Sequence, residues 1–524
     1  MTAGSRNSNF LKLALAKGEF VCTAEVVLGR DCNAAEAEAL VKDASEQADG
    51  IKVISLTDLP GGNPALPPEA FASYVLDHGL TPIAHLSGKD GNRAFLEARL
   101  HALARLGVEN ILALTGDAQR TGFAGKSKPV HDLDSVLILG LIHALHEQCV
   151  PAPDASRIPS LEFFAGAVAN PFKVREPDLL MQLYKLRLKV AMGAQFVITQ
   201  LGYNLRKLYE LKQCMVREGI GHIPVLANIY VPTKKIAHMM RDGEIAGCVI
   251  PDELIRRLQG ESKALRLERA ALTVAAAQDL GFAGAHLGGF GLTHKDFMTI
   301  IERASAIGSG WRGRMDELVF PWPDEFYLFP PNGDGLSDGK AEYQMNRVQP
   351  RLSLAQRFSE LAYRHFIKNS SPGARFFGAK LKAAKHPDGD SWRHSLWHKL
   401  LAPSILYRKV AFGCVSCGDC VQDHLNYAGC SMNRCYKELR NGPCGGSKVD
   451  GTCEVRADRP CVWNQVYSGS LAMGDDPEKF AHILVPPRDW ALDRTNALAN
   501  RFAGLDNLAK RRDLNLVKEE VKPC

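Results

Sequence analysis

The chain has 524 residues, enough for two or three ordinary domains. With 46% hydrophobic and 23% charged residues it carries ample apolar side chain for a core, and a net charge of +6 is too mild to mark a nucleic-acid-binding protein. No apolar run reaches membrane-spanning length, and the opening MTAGSRNSNFLKLALAKGEF lacks the apolar centre of a secretion signal. A cytoplasmic protein with neither membrane nor nucleic-acid partners is expected.

Short β-rich apolar runs alternate with longer helical patterns through the first 300 residues. The runs are FVCTAEVV (20–27), IKVISL (51–56), TPIAHL (81–86), NILAL (110–114), FFAGAVA (163–169), FVITQ (196–200), IPVLANI (223–229) and GFAGAHLGG (281–289). Helical patterns such as NRAFLEARLHALARLG (92–107) and DLLMQLYKLRLKVAMGA (178–194) lie between them. Eight strands, each followed by a helical segment, predict a (β/α)8 TIM barrel over 1–310, with a doubly wound open sheet as the competing arrangement. A connector at 311–394 opens with WRGRMDELVFPWPDEFYLFPPNGDGLSDGK, whose prolines forbid a regular element and whose aromatics predict packing on a surface. Farther on, FFGAKLKAAKHPDGDSWRHSLWHKL (376–400) concentrates basic residues, either as a solvated helix face or as a docking surface for an acidic partner.

The remainder, 395–524, is a smaller domain built around cysteine. Eight of the 14 cysteines fall in one window, Cys414, Cys417, Cys420, Cys430, Cys435, Cys444, Cys453 and Cys461, spaced C-x2-C-x2-C-x9-C-x4-C-x8-C-x8-C-x7-C. In a reducing compartment such a density predicts metal-bound thiolates rather than disulfides. The C-x2-C-x2-C run favours an iron–sulfur cluster such as 4Fe-4S, and zinc is the alternative. The eight supply two four-ligand sites, or one site with further structural thiols.

A TIM barrel places its chemistry where strands end and loops begin. Thr57 and Asp58 follow the second strand, His85 closes the third, and Asp117 follows the fourth. Asn170 follows the fifth, Gln200 ends the sixth, Tyr230 follows the seventh, and His286 lies within the eighth. Glu25, inside TAEVV, is the hardest to explain as structure, since a buried carboxylate is costly and its pKa is pushed upward. That shift suits a general acid working near neutral pH. Two glycine-rich look-alikes are set aside. TGFAGKSK has Arg120 where a phosphate-binding loop needs glycine, and GGFGLTH lacks the last glycine of a dinucleotide fingerprint.

TAEVV, AHLSGKDGNRAFLEARLHALARLGVENILALTGD (84–117), LKVAMGAQFVITQ (188–200), IPVLANI and GAHLGG together resemble the methylenetetrahydrofolate reductase family across about 20–305. The resemblance implies a flavin-bearing TIM barrel that interconverts 5,10-methylene- and 5-methyl-tetrahydrofolate, an oxidoreductase of one-carbon metabolism. It implies Glu25 as the general acid opening the methylene bridge, Asp117 as the acidic residue near flavin and pterin, and Gln200 as the pterin anchor. Thr57, His85, Asp117, Asn170 and Lys189 match flavin-site positions, Lys189 the one reaching the phosphates. Two positions depart from the family pattern within that site. Thr115 stands where arginine is common, and Asn170-Pro171-Phe172 replaces Tyr-Pro-Glu. FAD is expected ahead of FMN.

FGCVSCGDC and NGPCGG resemble the C-terminal domain fused to some members of that family and supplied in acetogens by a companion subunit. The resemblance implies a redox or structural partner for the barrel. An iron–sulfur cluster there would relay electrons to the flavin. The expected partners are tetrahydrofolate, an electron donor that is either NAD(P)H or a low-potential redox protein, and a second copy of the chain in a homo-oligomer. A folate- or corrinoid-linked methyltransferase on the same barrel is the alternative function.

Overall fold

The computed structural model describes residues 9–30, 34–148, 160–245, 247–347, 354–367, 371–386, 389–390, 399–422, 424–425, 430–507 and 512–513. Eight strands close into one parallel barrel in sequence order: β1 (Val21–Val26), β2 (Val53–Leu56), β3 (Thr81–Ser87), β4 (Asn110–Leu114), β5 (Phe164–Ala169), β6 (Phe196–Thr199), β7 (Val225–Tyr230) and β8 (Gly284–Gly288). All eight expected runs are strands, and closure rather than an open sheet follows from the pairing of β1 with β8.

Helices alternate with these strands. They are α1 (Phe10–Ala16), α2 (Ala35–Ser45), α3 (Pro68–Asp77), α4 (Arg93–Leu106), α5 (Ser135–His146), α6 (Glu176–Ala191), α7 (Leu205–Arg217), α8 (Lys234–Arg241), α9 (Asp252–Gly260), α10 (Lys263–Asp279) and α11 (His294–Ile307). Their starts are written in the sequence. Asn92, Asp134, Asn204, Thr233, Ser262 and Thr293 each accept from a backbone N–H of the first turn, satisfying donors the helix cannot pair itself.

Alternation along the strands sorts the barrel into layers. Val21, Val53, Ile83, Leu112, Phe196 and Leu226 form one apolar cluster with Leu11 and Ala14, so α1 packs against the amino-terminal end of the barrel. Two residues farther along the same faces come Thr23, Ser55 and His85, all buried. The interior therefore turns from apolar to polar toward the carboxyl ends of the strands, where the site lies.

The described residues fall into two compact units, the first running to Met345 and including Gly445–Asp450, the second taking 346–444 and the residues from Gly451 onward. Within the first unit the proline- and aromatic-rich stretch is packed: Trp311, Phe320, Leu328 and Phe329 are buried, and Glu210 of α7 accepts from the backbone N–H of Leu328 and Phe329. The second unit has a small core of Ala374, Leu401, Ala499 and Phe502. Of the basic stretch 376–400, residues 387–388 and 391–398 lie outside the described residues. Among the described residues no helix is long and apolar enough to cross a membrane.

Candidate active site

Barrel closure sets Thr23 of β1 directly opposite His286 of β8, and the β1–β2 register sets Glu25 opposite Ser55. The side chains follow the register. Thr23 Oγ1 lies 2.7 Å from His286 Nδ1, and His286 Nε2 lies 3.3 Å from Glu25 Oε2. On the other flank His85 Nε2 lies 2.8 Å from Ser55 Oγ. Thr23, His286 and Ser55 are 0–1% exposed, so this polar row is built into the barrel and leaves Glu25 at its accessible end.

The sequence alone predicts a raised pKa for Glu25, and the structure reverses that direction. Burial does act upward on the carboxyl, but the hydrogen bond and charge of His286 outweigh it and hold the pKa below the ordinary carboxylate value. His85 behaves oppositely: burial pulls its imidazole down to about 4, against the upward pull of Glu25, so it is neutral through the physiological range. Burial, then the charge of Glu25, push the Tyr230 phenol up to about 12, marking Tyr230 as a protonated hydroxyl beside the acid. Sequence reasoning noted His286 and Tyr230 only as polar residues near strand ends. The signal that β1 and β8 are neighbours exists only once the barrel closes.

Asp117 follows β4 in a loop that Gly116 opens at φ +84°, where a side chain would meet Ser87 at 2.4 Å. Its carboxylate accepts from Gly61 N at 3.1 Å, joining the β4 loop to the β2 loop. Thr57 is used within the sheet, accepting from Leu28 N and donating to Val26 O. Gln200 Oε1 accepts from Leu201 N at 2.9 Å. Lys189 of α6 is buried and donates to Val168 O at 2.6 Å. Burial and neighbouring Lys185 pull its pKa down to about 7. Lys189 is thus a buried amine bonded to a backbone carbonyl, the donor type that a phosphate takes. Asn170 is employed differently. Its Nδ2 donates to Gly247 O and to Gly445 O, each at 3.2 Å, and its Oδ1 accepts from Phe172 N.

In the second unit Cys414, Cys417, Cys420 and Cys430 line one cavity. Burial, then the three neighbouring thiols, push Cys430 up to about 12. Cys435 is likewise raised, by burial first and by Cys453 among its neighbours. Cys444 donates to Glu454, which is paired with Lys437. Cys461 caps the helix Val462–Ala472. Among the described residues no three ligand side chains are drawn together closely enough to hold an ion as they stand. The donor type nonetheless suits a thiophilic metal at Cys414, Cys417, Cys420 and Cys430, since these four thiols line one cavity.

Fold and site together define a (β/α)8 barrel with polar side chains, Glu25 and His286 among them, toward the carboxyl ends of its strands. The chain belongs to the methylenetetrahydrofolate reductase family, whose profile matches residues 11–286, more than half of its length. A second profile, the methylenetetrahydrofolate reductase C terminal, matches residues 399–491. A curated relative, methylenetetrahydrofolate reductase 2 of Schizosaccharomyces pombe, is 25% identical over 187 residues. That match covers 34% of this chain and 28% of the yeast protein, so the chain spans under a third of that relative's length. Among solved structures, an uncharacterized Clostridium thermocellum protein that binds two copies of 5-methyl-5,6,7,8-tetrahydrofolic acid matches with a TM-score of 0.39 and 14% identity. It covers 57% of this chain and 99% of that one. The apo form of a putative deoxyribose-phosphate aldolase from Toxoplasma gondii ME49 matches with a TM-score of 0.30 and 10% identity, covering 56% and 98%.

Proposed function

We propose that this chain interconverts 5,10-methylenetetrahydrofolate and 5-methyltetrahydrofolate on a flavin held at the carboxyl-terminal face of its barrel. The observation that carries the reading is Glu25 at the open end of a buried Thr23–His286 row, its carboxyl oriented by the 3.3 Å contact with His286. Membership of the family supports flavin as the cofactor, and the buried Lys189 suits its phosphates. FAD is the form proposed.

When bound, the flavin supplies or accepts the hydride. The chain's own groups do the rest. Glu25 gives a proton to the folate nitrogen released as the methylene bridge opens, and His286, fixed by Thr23 at 2.7 Å, stabilises the carboxylate left behind. Neutral His85, held by Ser55, keeps a second positive charge away from the reacting rings. Asp117, fixed to Gly61, and Gln200, fixed to Leu201, meet the polar edge of the pterin. Lys189 would hold the cofactor's phosphates. Cys414, Cys417, Cys420 and Cys430 would hold a metal, with Cys435, Cys444, Cys453 and Cys461 as a second thiol set, and an iron–sulfur centre there would supply one-electron chemistry between an external low-potential donor and the barrel. NAD(P)H is the alternative donor.

The test is an absorbance spectrum with metal and sulfide analysis on protein purified without oxygen, followed by turnover with 5-methyltetrahydrofolate and an artificial acceptor. Flavin bands and folate-dependent reduction support the reading. Protein that takes up no flavin on reconstitution, or whose flavin ignores folate, overturns it. Zinc in place of iron and sulfide removes the relay and leaves the barrel chemistry intact.

A further inference from the structure

The NGPCGG motif contains a glycine pair that neither metal binding nor the folate chemistry explains. Residues 445–450, flanked in sequence by Cys444 and Cys453, pack as part of the barrel unit. Gly445 adopts φ +95°, a conformation that strains any side chain, and a Cβ there would lie 3.4 Å from Gln182 of α6 and 3.8 Å from Asn170. Its carbonyl accepts from Asn170 Nδ2 at 3.2 Å. Two residues on, Ser447 O accepts from Lys173 Nζ at 2.8 Å, the lysine being only 2% exposed. Asp450 O then accepts from Arg175 at 2.8 Å. Three side chains from the single loop after β5 thus hold three carbonyls of one six-residue strap.

The strap reaches the site through Gly247. Asn170 Nδ2 also donates to Gly247 O at 3.2 Å. Gly247 has φ +72°, and a Cβ there would lie 3.0 Å from Gly445 O and 3.3 Å from Gln200 Nε2. The Gln200 oxygen is taken by Leu201 N, which turns its amide nitrogen toward this corner. Strap, Gly247 and Gln200 therefore pack closely, with a Cβ at Gly247 tight against both Gly445 O and the Gln200 amide.

We infer that the strap Gly445–Asp450 is one wall of the folate site, and that Asn170 and Lys173 are positioning residues that seat it and so fix the Gln200 amide for the pterin. This rests on the reading of Gln200 as pterin anchor. Asn170, matched from sequence to the flavin site, acts here through a wall contributed by a segment well beyond the barrel's own stretch of sequence. Holding a glutamine amide in its bound orientation before the ligand arrives lowers the ordering cost of binding, and the effect falls on KM more than on kcat.

The test uses the full-length flavin-loaded protein with Asn170→Ala, Lys173→Met and Lys173→Arg, each also combined with Gln200→Ala. Expected are unchanged flavin content and dithionite reduction, a KM for 5-methyltetrahydrofolate raised about tenfold by Asn170→Ala and by Lys173→Met, and near-normal KM in Lys173→Arg, which keeps the donor. In the Gln200→Ala background the same changes should add less than twofold, because the group they position is gone. A KM within twofold of wild type in both single variants overturns the inference, as do effects fully additive with Gln200→Ala. Flavin loss in Asn170→Ala overturns it in favour of a direct cofactor role. Failure of the wild-type protein to bind folate would remove the pterin-anchor reading itself, and the strap's role with it.

Discussion

Glu25 and His286 lie 261 residues apart in sequence, yet His286 Nε2 sits 3.3 Å from Glu25 Oε2, with the other ring nitrogen fixed by Thr23 at 2.7 Å. The imidazole decides the direction of the Glu25 pKa, because burial by itself would raise it. Replacing His286 with Asn removes the opposing charge and leaves burial dominant. The limb of the kcat/KM profile that reports protonated Glu25 should then move to higher pH, since the rate of a general acid falls as pH climbs through its pKa. A limb that stays in place in the variant would sink the coupling.

Glu25→Gln keeps the shape of the side chain and removes the proton. Flavin binding should persist while folate turnover falls about 100-fold or more, the scale of lost general acid catalysis. Single-turnover reduction of bound flavin by 5-methyltetrahydrofolate is the direct measurement. Turnover at the wild-type rate would show that another group delivers the proton.

Lys189 is a buried amine whose pKa burial and Lys185 lower to about 7. If it meets a flavin phosphate, binding above that pH must take up a proton. Flavin affinity should therefore weaken as pH rises past about 7, and calorimetry in buffers of different ionisation enthalpy should detect the uptake. Lys189→Met should cost about 10- to 100-fold in affinity, the worth of a charge-assisted hydrogen bond, and abolish the pH dependence. A proton-neutral titration in the wild type argues against contact with phosphate.

Stability at mild acidity should carry the signature of His85. Burial holds its pKa near 4 in the folded chain, against 6.5 for a free imidazole. The unfolded chain takes up a proton across that interval and the folded chain does not, so stability falls as pH drops from about 6.5 to about 4. The denaturation midpoint at pH 4.5 should lie below that at pH 7, and the gap should narrow in His85→Gln. An unchanged gap would mean that other groups dominate the acid limb.

Arg99 joins two carboxylates beneath the mouth, meeting Asp58 at 3.0 and 3.1 Å and Glu69 at 2.5 and 2.9 Å. Asp58 in turn accepts from Ser87 N at 2.8 Å, tying the β2 loop to the end of β3. Arg99→Met strands a carboxylate whose side chain is only 1% exposed and should destabilise the fold by about 3 kcal/mol. Urea denaturation measures this, and a loss below 1 kcal/mol would place the network at the surface in energetic terms.

The sequence by itself determined the strands, the helical stretches between them and the choice of Glu25 as candidate acid. Short β-rich apolar runs between helical patterns, and an ionisable group inside TAEVV, are local signals, and local physics reads them. It also marked Cys414, Cys417, Cys420 and Cys430 by spacing, and these line one cavity. Only the tertiary structure decided which groups stand beside them. Closure of β1 onto β8 gave Glu25 its histidine and reversed the direction of its pKa. Asn170, 275 residues from Gly445 in sequence, turned out to hold a strap that no strand periodicity announces. A strand's alternation says which face a side chain takes. Which partner meets it there depends on register and closure, and those are fixed by the whole barrel at once.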